Sequence, residues 1–114
     1  IKEGYGEVFS AKEDHAGEME TSLIMHARPD LVDLSQADEG ANRAIRFEAV
    51  EKGWVEISRA WHLLTTNSGS GNPLQATAEK GRVWLEKLAE KLVPFLVDLS
   101  ASPVDENFPF KGSF

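Results

Sequence analysis

Five ionisable side chains fall within eight positions near the start of the chain, at the mouth of a predicted helix. They are Glu13, Asp14, His15, Glu18 and Glu20. A helix N-terminus presents free amide donors and the positive end of a dipole, so a His placed there is suited to carrying a proton near neutral pH. His15 is therefore a candidate for general acid–base chemistry. Spacing alone leaves a structural alternative open, in which Asp14 caps the helix and Glu18 complements its dipole.

Glu20 favours the functional interpretation over the structural one, because it lies on the apolar face of the predicted helix. It shares that face with Leu23, Ile24 and Ala27, at spacings of three and four residues. A carboxylate on such a face needs a polar partner. We therefore predict that His15 and Glu20 form a catalytic pair.

Asp14 directly precedes His15, and we assign it to substrate binding. The other ligand-forming side chains favour structural roles. His15 and Glu18 match half of a zinc motif whose second His is replaced here by Met19, so we predict no metal ligand within the chain. His26 alone near the end of the first helix and His62 alone in an apolar run are predicted to be structural.

The glycine-rich segment and the tryptophans are also predicted to be structural. Residues 69–71 precede a helix, but they lack the third Gly of a dinucleotide motif and the Gly-Lys-Ser/Thr of a phosphate loop. Trp54, Trp61 and Trp84 have no basic surroundings for base stacking. We expect a turn at 69–71 and core or interface positions for the three indoles.

Composition and charge exclude several classes of function. The chain has 114 residues, with 19 acidic and 12 basic side chains, a net charge of −7 and no Cys. Nucleic-acid binding needs clustered cations, and the acidic side chains here are scattered. No disulfide or thiolate site can form, and no apolar run approaches the roughly 18 residues of a membrane span. We expect a cytoplasmic protein that binds neither nucleic acid nor membrane.

Hydrophobic periodicity predicts two main helices. The first spans 17–27 and ends before Pro29, since a residue before proline is pushed out of the α region. The second spans about 76–99, with a stripe of large apolar residues and a kink at Pro94. A short, mostly exposed helix is expected within 35–53.

Strand patterns are weaker, and they leave the core incomplete. Alternation favours one or two strands at 54–57 and 63–66, and a short extended piece at 7–9. One short helix and two strands cannot cover the apolar stripe of the second helix. We therefore expect a sheet from residues missing here, or from another subunit, to complete a layered α/β arrangement.

Four segments of the chain resemble the creatininase family of amidohydrolases. Residues 15–23 (His-Ala-Gly-Glu-Met-Glu-Thr-Ser-Leu) followed by 28–33 (Arg-Pro-Asp-Leu-Val-Asp) are similar to the family's C-terminal signature. Residues 71–73 running into 76–81 are similar to the entry of its last helix. The resemblance covers about 13–99. It implies an α/β/α sandwich and hydrolysis of a C–N amide bond by water activated between two divalent metal ions, which are zinc, manganese or iron.

The resemblance also assigns roles to individual residues. His15 matches the family's catalytic His, which gives a proton to the leaving nitrogen or stabilises the oxyanion, and Glu20 matches the signature Glu that supports it. The metal ligands, a Glu-x-His pair, a bridging Asp and a Gly-His-x-Glu turn, lie upstream in the family. Creatininase itself has a Trp four residues before this His, where this chain has Ala11. That difference argues against creatinine and leaves the small-molecule amide substrate open.

From the resemblance we expect the C-terminal portion of such an enzyme, inactive without its metal-binding half. Residues 1–114 would form a single domain or a C-terminal fragment of one, with an irregular lead-in at 1–13, the creatininase-like segment at 14–99 and an extended tail at 100–114. The rival hypothesis is a non-catalytic binding or assembly module derived from this fold. Either way, we expect a homo-oligomer or docking onto the missing N-terminal half.

Overall fold

A computed structural model of the chain describes residues 3–13 and 15–112. Asp14 lies outside the described residues, so its assignment to substrate binding stays a prediction. The described residues contain five α-helices: α1 (Tyr5–Val8), α2 (Glu18–Ala27), α3 (Glu48–Glu51), α4 (Trp61–Leu64) and α5 (Ala78–Ala101). Short 3₁₀ turns at Pro29–Leu31, Leu34–Gln36 and Pro73–Gln75 connect them.

The two main helices form where periodicity predicts them. Gly17 is the N-cap of α2, and the helix ends before Arg28 and Pro29 as expected. Thr77 caps α5, its hydroxyl oxygen accepting a hydrogen bond from the backbone N–H of Lys80 at 3.2 Å. Pro94 lies inside α5, which continues to Ala101.

Helices α2 and α5 pack closely at one crossing point, where a glycine faces a fully buried serine. A Cβ atom added at Gly81 would lie 2.0 Å from the carbonyl oxygen of Ser22. The Ser22 hydroxyl donates to the carbonyl of Glu18 at 2.6 Å and accepts from the backbone N–H of Thr77 at 3.1 Å. The start of α5 is therefore fixed against the first turns of α2, the helix that begins at the predicted catalytic cluster.

Substituting Gly81 with Ala tests this close approach. The added methyl must push the two helix backbones apart, and we expect a net loss of about 1–2 kcal/mol of unfolding free energy after the helix-propensity gain of Ala. Urea denaturation measures it. Gly6→Ala is the matched control, because a Cβ at Gly6 in α1 meets nothing within 4 Å. Equal stability of the two variants would contradict the tight crossing.

An aromatic cluster joins the start of the chain to α5. The ring centroids of Tyr5 and Phe9 are 4.9 Å apart, and those of Tyr5 and Phe9 lie 5.7 and 5.5 Å from Trp84. Trp84 is 2% exposed and Phe9 is 4% exposed. The lead-in segment thus contains one helical turn, α1, which brings Tyr5 and Phe9 onto the same indole. The extended piece predicted at 7–9 is wrong for Glu7 and Val8, which lie in α1, and only Phe9 has an extended backbone.

The strand predictions are wrong for the described residues, which contain no strand. Residues 54–57 are irregular, and 61–64, overlapping the stronger strand candidate, form α4. The N–H groups of Leu64 and Thr65 bond instead to the carbonyls of Ala60 and Trp61 at 3.1 Å each. A strand satisfies its backbone groups only beside a partner strand. The described residues supply none, so this apolar run closes its hydrogen bonds locally.

Of the exposed helix expected within 35–53, only the four residues of α3 (Glu48–Glu51) are α-helical. Before it, the carboxylate of Asp38 accepts from the backbone N–H of Gly40 at 2.8 Å, and Gly40 adopts φ 58°. Asp33 likewise accepts from the backbone N–H of Ser35 at 3.0 Å. Such side-chain bonds to nearby backbone compete with helix formation, so residues 37–46 stay irregular.

The second half of α5 is apolar and exposed. Its exposed large apolar residues are Leu92, Val93, Phe95, Leu96, Val97 and Leu99. At 3.6 residues per turn they cover about half of the helix circumference, and Lys91 and Asp98 lie on the other side. A contiguous exposed apolar face of this kind is typical of a surface that packs against another element. After Ala101 the tail is extended only briefly before turns begin at 106. No helix among the described residues is long and apolar enough to cross a membrane.

Candidate functional site

The backbone of His15 is held by a loop that lies far from it in sequence. His15 and Ser70 form an isolated antiparallel bridge, with N···O distances of 3.1 Å and 2.8 Å. The Ser70 hydroxyl is fixed in turn by the side-chain amide of Asn42, which donates to it at 2.8 Å. The segment 69–71 is therefore a turn, as predicted, and it also anchors His15.

Two residues beside this bridge adopt left-handed backbone conformations that non-glycine residues rarely take. Ala16 has φ 53° and Ser68 has φ 72°. Such conformations cost energy and persist only where surrounding contacts enforce them. They keep His15 at the entry to α2 with its side chain 55% exposed.

Glu20 is turned back towards His15. Its Oε2 accepts a hydrogen bond from the backbone N–H of Ala16 at 2.6 Å and lies 3.7 Å from Nδ1 of His15. The Glu20 side chain is 46% exposed. The structure thus brings together the two residues that the sequence predicts as a catalytic pair, at a distance that forms an ion pair when His15 is protonated.

Glu13 caps α2, a role that the structural alternative gave to Asp14. The Glu13 carboxylate accepts from the backbone N–H groups of Met19 at 2.7 Å and Glu20 at 3.0 Å. Gly17 makes room for it, since a Cβ there would come within 2.6 Å of the Glu13 Cβ. The free amide donors at the mouth of the helix are therefore occupied by the chain's own carboxylate.

Glu18 is buried and structural, and it does more than complement the helix dipole. It is 2% exposed and bonded to Lys80 and to the backbone N–H and hydroxyl of Ser10, at 2.8 and 2.6 Å for the two Ser10 bonds. Burial acts to raise the pKa of Glu18, but the bonds from Lys80 and Ser10 outweigh it and lower the pKa overall. Glu18 is thus ionised and fully engaged in joining α2 to α5.

Trp61, which the sequence predicts to be a core or interface residue, lies against His15. The two ring centroids are 5.7 Å apart at an interplanar angle of 73°. No local pattern signals this contact, because the two residues lie far apart in the chain. His26 and His62, by contrast, are exposed and lie outside the site.

An open groove of about 620 Å³ begins beside the pair. Glu20 and Ala16 form part of its wall, together with apolar side chains that include Leu23, Ile24 and Leu34. The groove also carries the carboxylates of Asp33 and Asp38 and no Lys or Arg. Such a lining combines apolar surface with negative charge, which disfavours an anionic ligand.

The described residues do not fit a metal ion. They contain no group of three or more His, Asp, Glu or Cys side chains that could hold one. At the site, His15 and Glu20 offer two ligand atoms of this kind. Two such ligand atoms are fewer than the three or four protein ligands of a typical zinc site.

Comparison with known proteins gives a family for this fold. The family model for creatininase, described as creatinine amidohydrolase, matches residues 2–96. A crystal structure named "Putative creatinine amidohydrolase from Bacteroides fragilis NCTC 9343" superposes with a TM-score of 0.75 and 34% sequence identity, over 88% of this chain. The match covers 42% of that protein's own chain. No curated protein sequence matches. The match over residues 2–96, together with the shared fold, shows that this chain belongs to the creatininase family.

Proposed function

We propose that this chain is the C-terminal portion of a metal-dependent amidohydrolase, in which His15 transfers a proton at a C–N amide bond and Glu20 orients it. The observation that carries the proposal is the His15–Glu20 pair, exposed at the mouth of α2 although its backbone is clamped and strained. A His with a purely structural role has no need of an exposed side chain, whereas a catalytic His needs both an exposed imidazole and a firmly held backbone. Family membership supplies the reaction class.

The proton path follows from which nitrogen faces Glu20. Nδ1 of His15 lies towards the carboxylate, so Nε2 is the nitrogen that we assign to the substrate. Water adds to the amide carbon and gives up a proton, the C–N bond breaks, and the leaving nitrogen takes the proton from Nε2. The proton released from water restores Nε2–H, so the step yields the carboxylic acid and the amine. The alternative role of His15 is to stabilise the oxyanion through a hydrogen bond from the same ring N–H.

We further propose that the metal-binding half of the site comes from outside this chain. In that arrangement zinc, manganese or iron would activate the water, held by residues that the remainder of the family fold supplies. The exposed apolar half of α5 supports this, because it is suited to packing against the sheet of an α/β/α sandwich. The amide substrate would sit between His15 and that metal, with its apolar part in the groove.

The test is an assay of amide hydrolysis with zinc or manganese added. It compares the full-length protein that carries this chain with residues 1–114 alone, using creatinine, an N-substituted formamide and a dipeptide. We expect turnover of at least one amide by the full-length protein and none by the isolated chain. His15-dependent turnover by the isolated chain would contradict the proposal that the metal-binding half lies outside this chain. Absence of turnover by the metal-loaded full-length protein would contradict the proposed amidohydrolase activity.

The exposed face of α5 also favours a second candidate, a non-catalytic assembly module that keeps the helices of the fold. This candidate expects oligomers in analytical ultracentrifugation together with no stoichiometric divalent metal in the purified full-length protein. Stoichiometric metal would exclude it. Oligomers alone would not separate the two candidates, since we also propose a homo-oligomer for the enzyme.

A further inference from the structure

Among the described residues, the side chains of Glu20 and Trp61 lie against the imidazole of His15. Glu20 approaches Nδ1 at 3.7 Å, and Trp61 meets the ring in a T-shaped arrangement with centroids 5.7 Å apart. Aromatic rings at this separation and angle attract each other. A half-exposed His beside the carboxylate alone has more than one staggered rotamer open to it. The indole supplies the second point of support.

Trp61 is itself held by two side-chain contacts and by its place in α4. Its Nε1–H donates to the carbonyl of Ser68 at 3.1 Å, and the guanidinium of Arg59 lies 5.6 Å from the ring centroid. It is also the first residue of α4, whose last residue, Leu64, is buried. The indole is therefore a rigid surface against which a mobile imidazole can be held.

The loop that holds the Trp61 indole also holds the His15 backbone. Ser68 accepts from Trp61, and two residues later Ser70 forms the backbone bridge with His15. Ser68 adopts its left-handed conformation between these two contacts. Ring and backbone of His15 are thus positioned by one continuous stretch of chain, and a change in that stretch would move both.

The other two tryptophans show what a structural or a solvent-facing indole looks like in this fold. Trp84 is 2% exposed and packed between Tyr5 and Phe9. Trp54 is 70% exposed, with the ammonium group of Lys52 5.0 Å from its ring centroid. Trp61 is half-buried, and its aromatic neighbour is the candidate catalytic His.

We propose that Trp61 is a positioning residue that keeps the imidazole of His15 aligned with Nδ1 towards Glu20. Its effect on catalysis rests on the proposed function, whereas its effect on the orientation of His15 does not. Loss of the indole is expected to let the His15 ring sample other rotamers. The fraction of enzyme with Nε2 facing the substrate then falls.

The first test observes the His15 ring directly and needs no substrate. In the full-length protein labelled at histidine, the ring-proton NMR resonances of His15 should shift in Trp61→Leu, because the ring current of the indole is lost, and shift less in Trp61→Phe. His26 reports on the overall fold and should not move. Trp54→Leu is the matched control, an indole with a nearby cation that lies against no His.

The second test measures amide hydrolysis with whichever amide of the panel is turned over. We expect Trp61→Leu to lower kcat about 3- to 10-fold with KM within about twofold, and Trp61→Phe to recover most of the loss. In a His15→Ala background, Trp61→Leu should have no further effect on the residual rate, because its influence passes through His15.

Unchanged His15 resonances in Trp61→Leu would overturn the proposal, as would an equal loss of kcat in Trp54→Leu. If Trp61→Leu fails to fold, Trp61→Phe takes its place, and unchanged His15 ring-proton resonances in that variant would overturn the proposal. If His15→Ala leaves amide hydrolysis intact, the proposed function fails, and the NMR result still decides whether Trp61 positions the ring.

Discussion

Replacing His15 with Ala is expected to lower kcat for amide hydrolysis about 10²- to 10⁴-fold in the metal-loaded full-length protein, the range that a positioned general acid contributes. The carboxylate of Glu20 then has no imidazole to orient, and the leaving nitrogen must take its proton from water. Substrate binding in the groove uses other side chains, so KM should change little. Steady-state kinetics with the substrate found in the amide panel measures both constants.

His26→Ala is the matched control, because His26 is likewise an exposed His, but it lies near the end of α2 and outside the site. It should leave kcat within about twofold. A His15→Ala enzyme with near-normal kcat would contradict the catalytic assignment. Circular dichroism of both variants should match the wild type, since the backbone bonds of His15 to Ser70 do not involve its side chain.

The leaving group of the substrate separates the two roles open to His15. If His15 protonates the leaving nitrogen, an amide whose amine is weakly basic needs less help, and the loss in His15→Ala should shrink with such a substrate. If His15 stabilises the oxyanion, the loss should be similar for strongly and weakly basic leaving groups. A series of anilides with graded amine pKa values gives the comparison.

Local patterns predicted the parts of the fold that depend on local interactions. Helix α2 ends at Arg28 because of the following proline, and α5 follows the apolar stripe from Trp84 onwards. Pairing His15 with Glu20 was also within reach, since both lie within one turn and a half of the start of α2. The apolar face on which the sequence placed Glu20 is not buried, however, because the Glu20 side chain and Ile24 are each 46% exposed. These predictions needed no knowledge of distant residues.

The wrong predictions concern features that distant residues decide. The apolar run at 61–64 has strand-like composition, but only a partner strand could make it one, and in the described residues it forms α4. The contact of Trp61 with His15 depends on how the loop around Ser70 returns to the start of α2. The capping role of Glu13 likewise requires a bend before Gly17 that composition does not reveal.

Replacing Lys80 with Met is expected to lower the unfolding free energy at pH 7 by about 3 kcal/mol, the lower end of the range for removing one partner of a buried ion pair. The carboxylate of Glu18 is 3% exposed, whereas Lys80 is 31% exposed. The loss is moderated because the Ser10 hydrogen bonds to Glu18 remain. Urea denaturation followed by circular dichroism measures the change.

Lys87→Met is the matched control for this substitution. Lys87 lies on the same helix and bonds to Glu7 at 2.9 Å, but both side chains are exposed, so little change is expected. The double variant Glu18→Gln/Lys80→Met should recover part of the lost stability, because a neutral amide can still accept the Ser10 bonds without burying a charge. Equal effects of Lys80→Met and Lys87→Met would contradict the buried pair.

The pH dependence of stability should change with this variant. In the wild type the pKa of Glu18 is lower in the folded than in the unfolded protein, so its stabilising effect is present above about pH 4 and is lost as the pH falls further. Without Lys80, its hydrogen bond and its charge no longer lower the pKa of Glu18, so the pKa in the folded state is higher in the variant than in the wild type. The deficit of the variant should then be largest near neutral pH and shrink in acid, as Glu18 takes up a proton. Unfolding free energies from pH 3 to 7 test this directly, since a deficit that is constant across that range would mean that Lys80 acts through packing and not through the charge of Glu18.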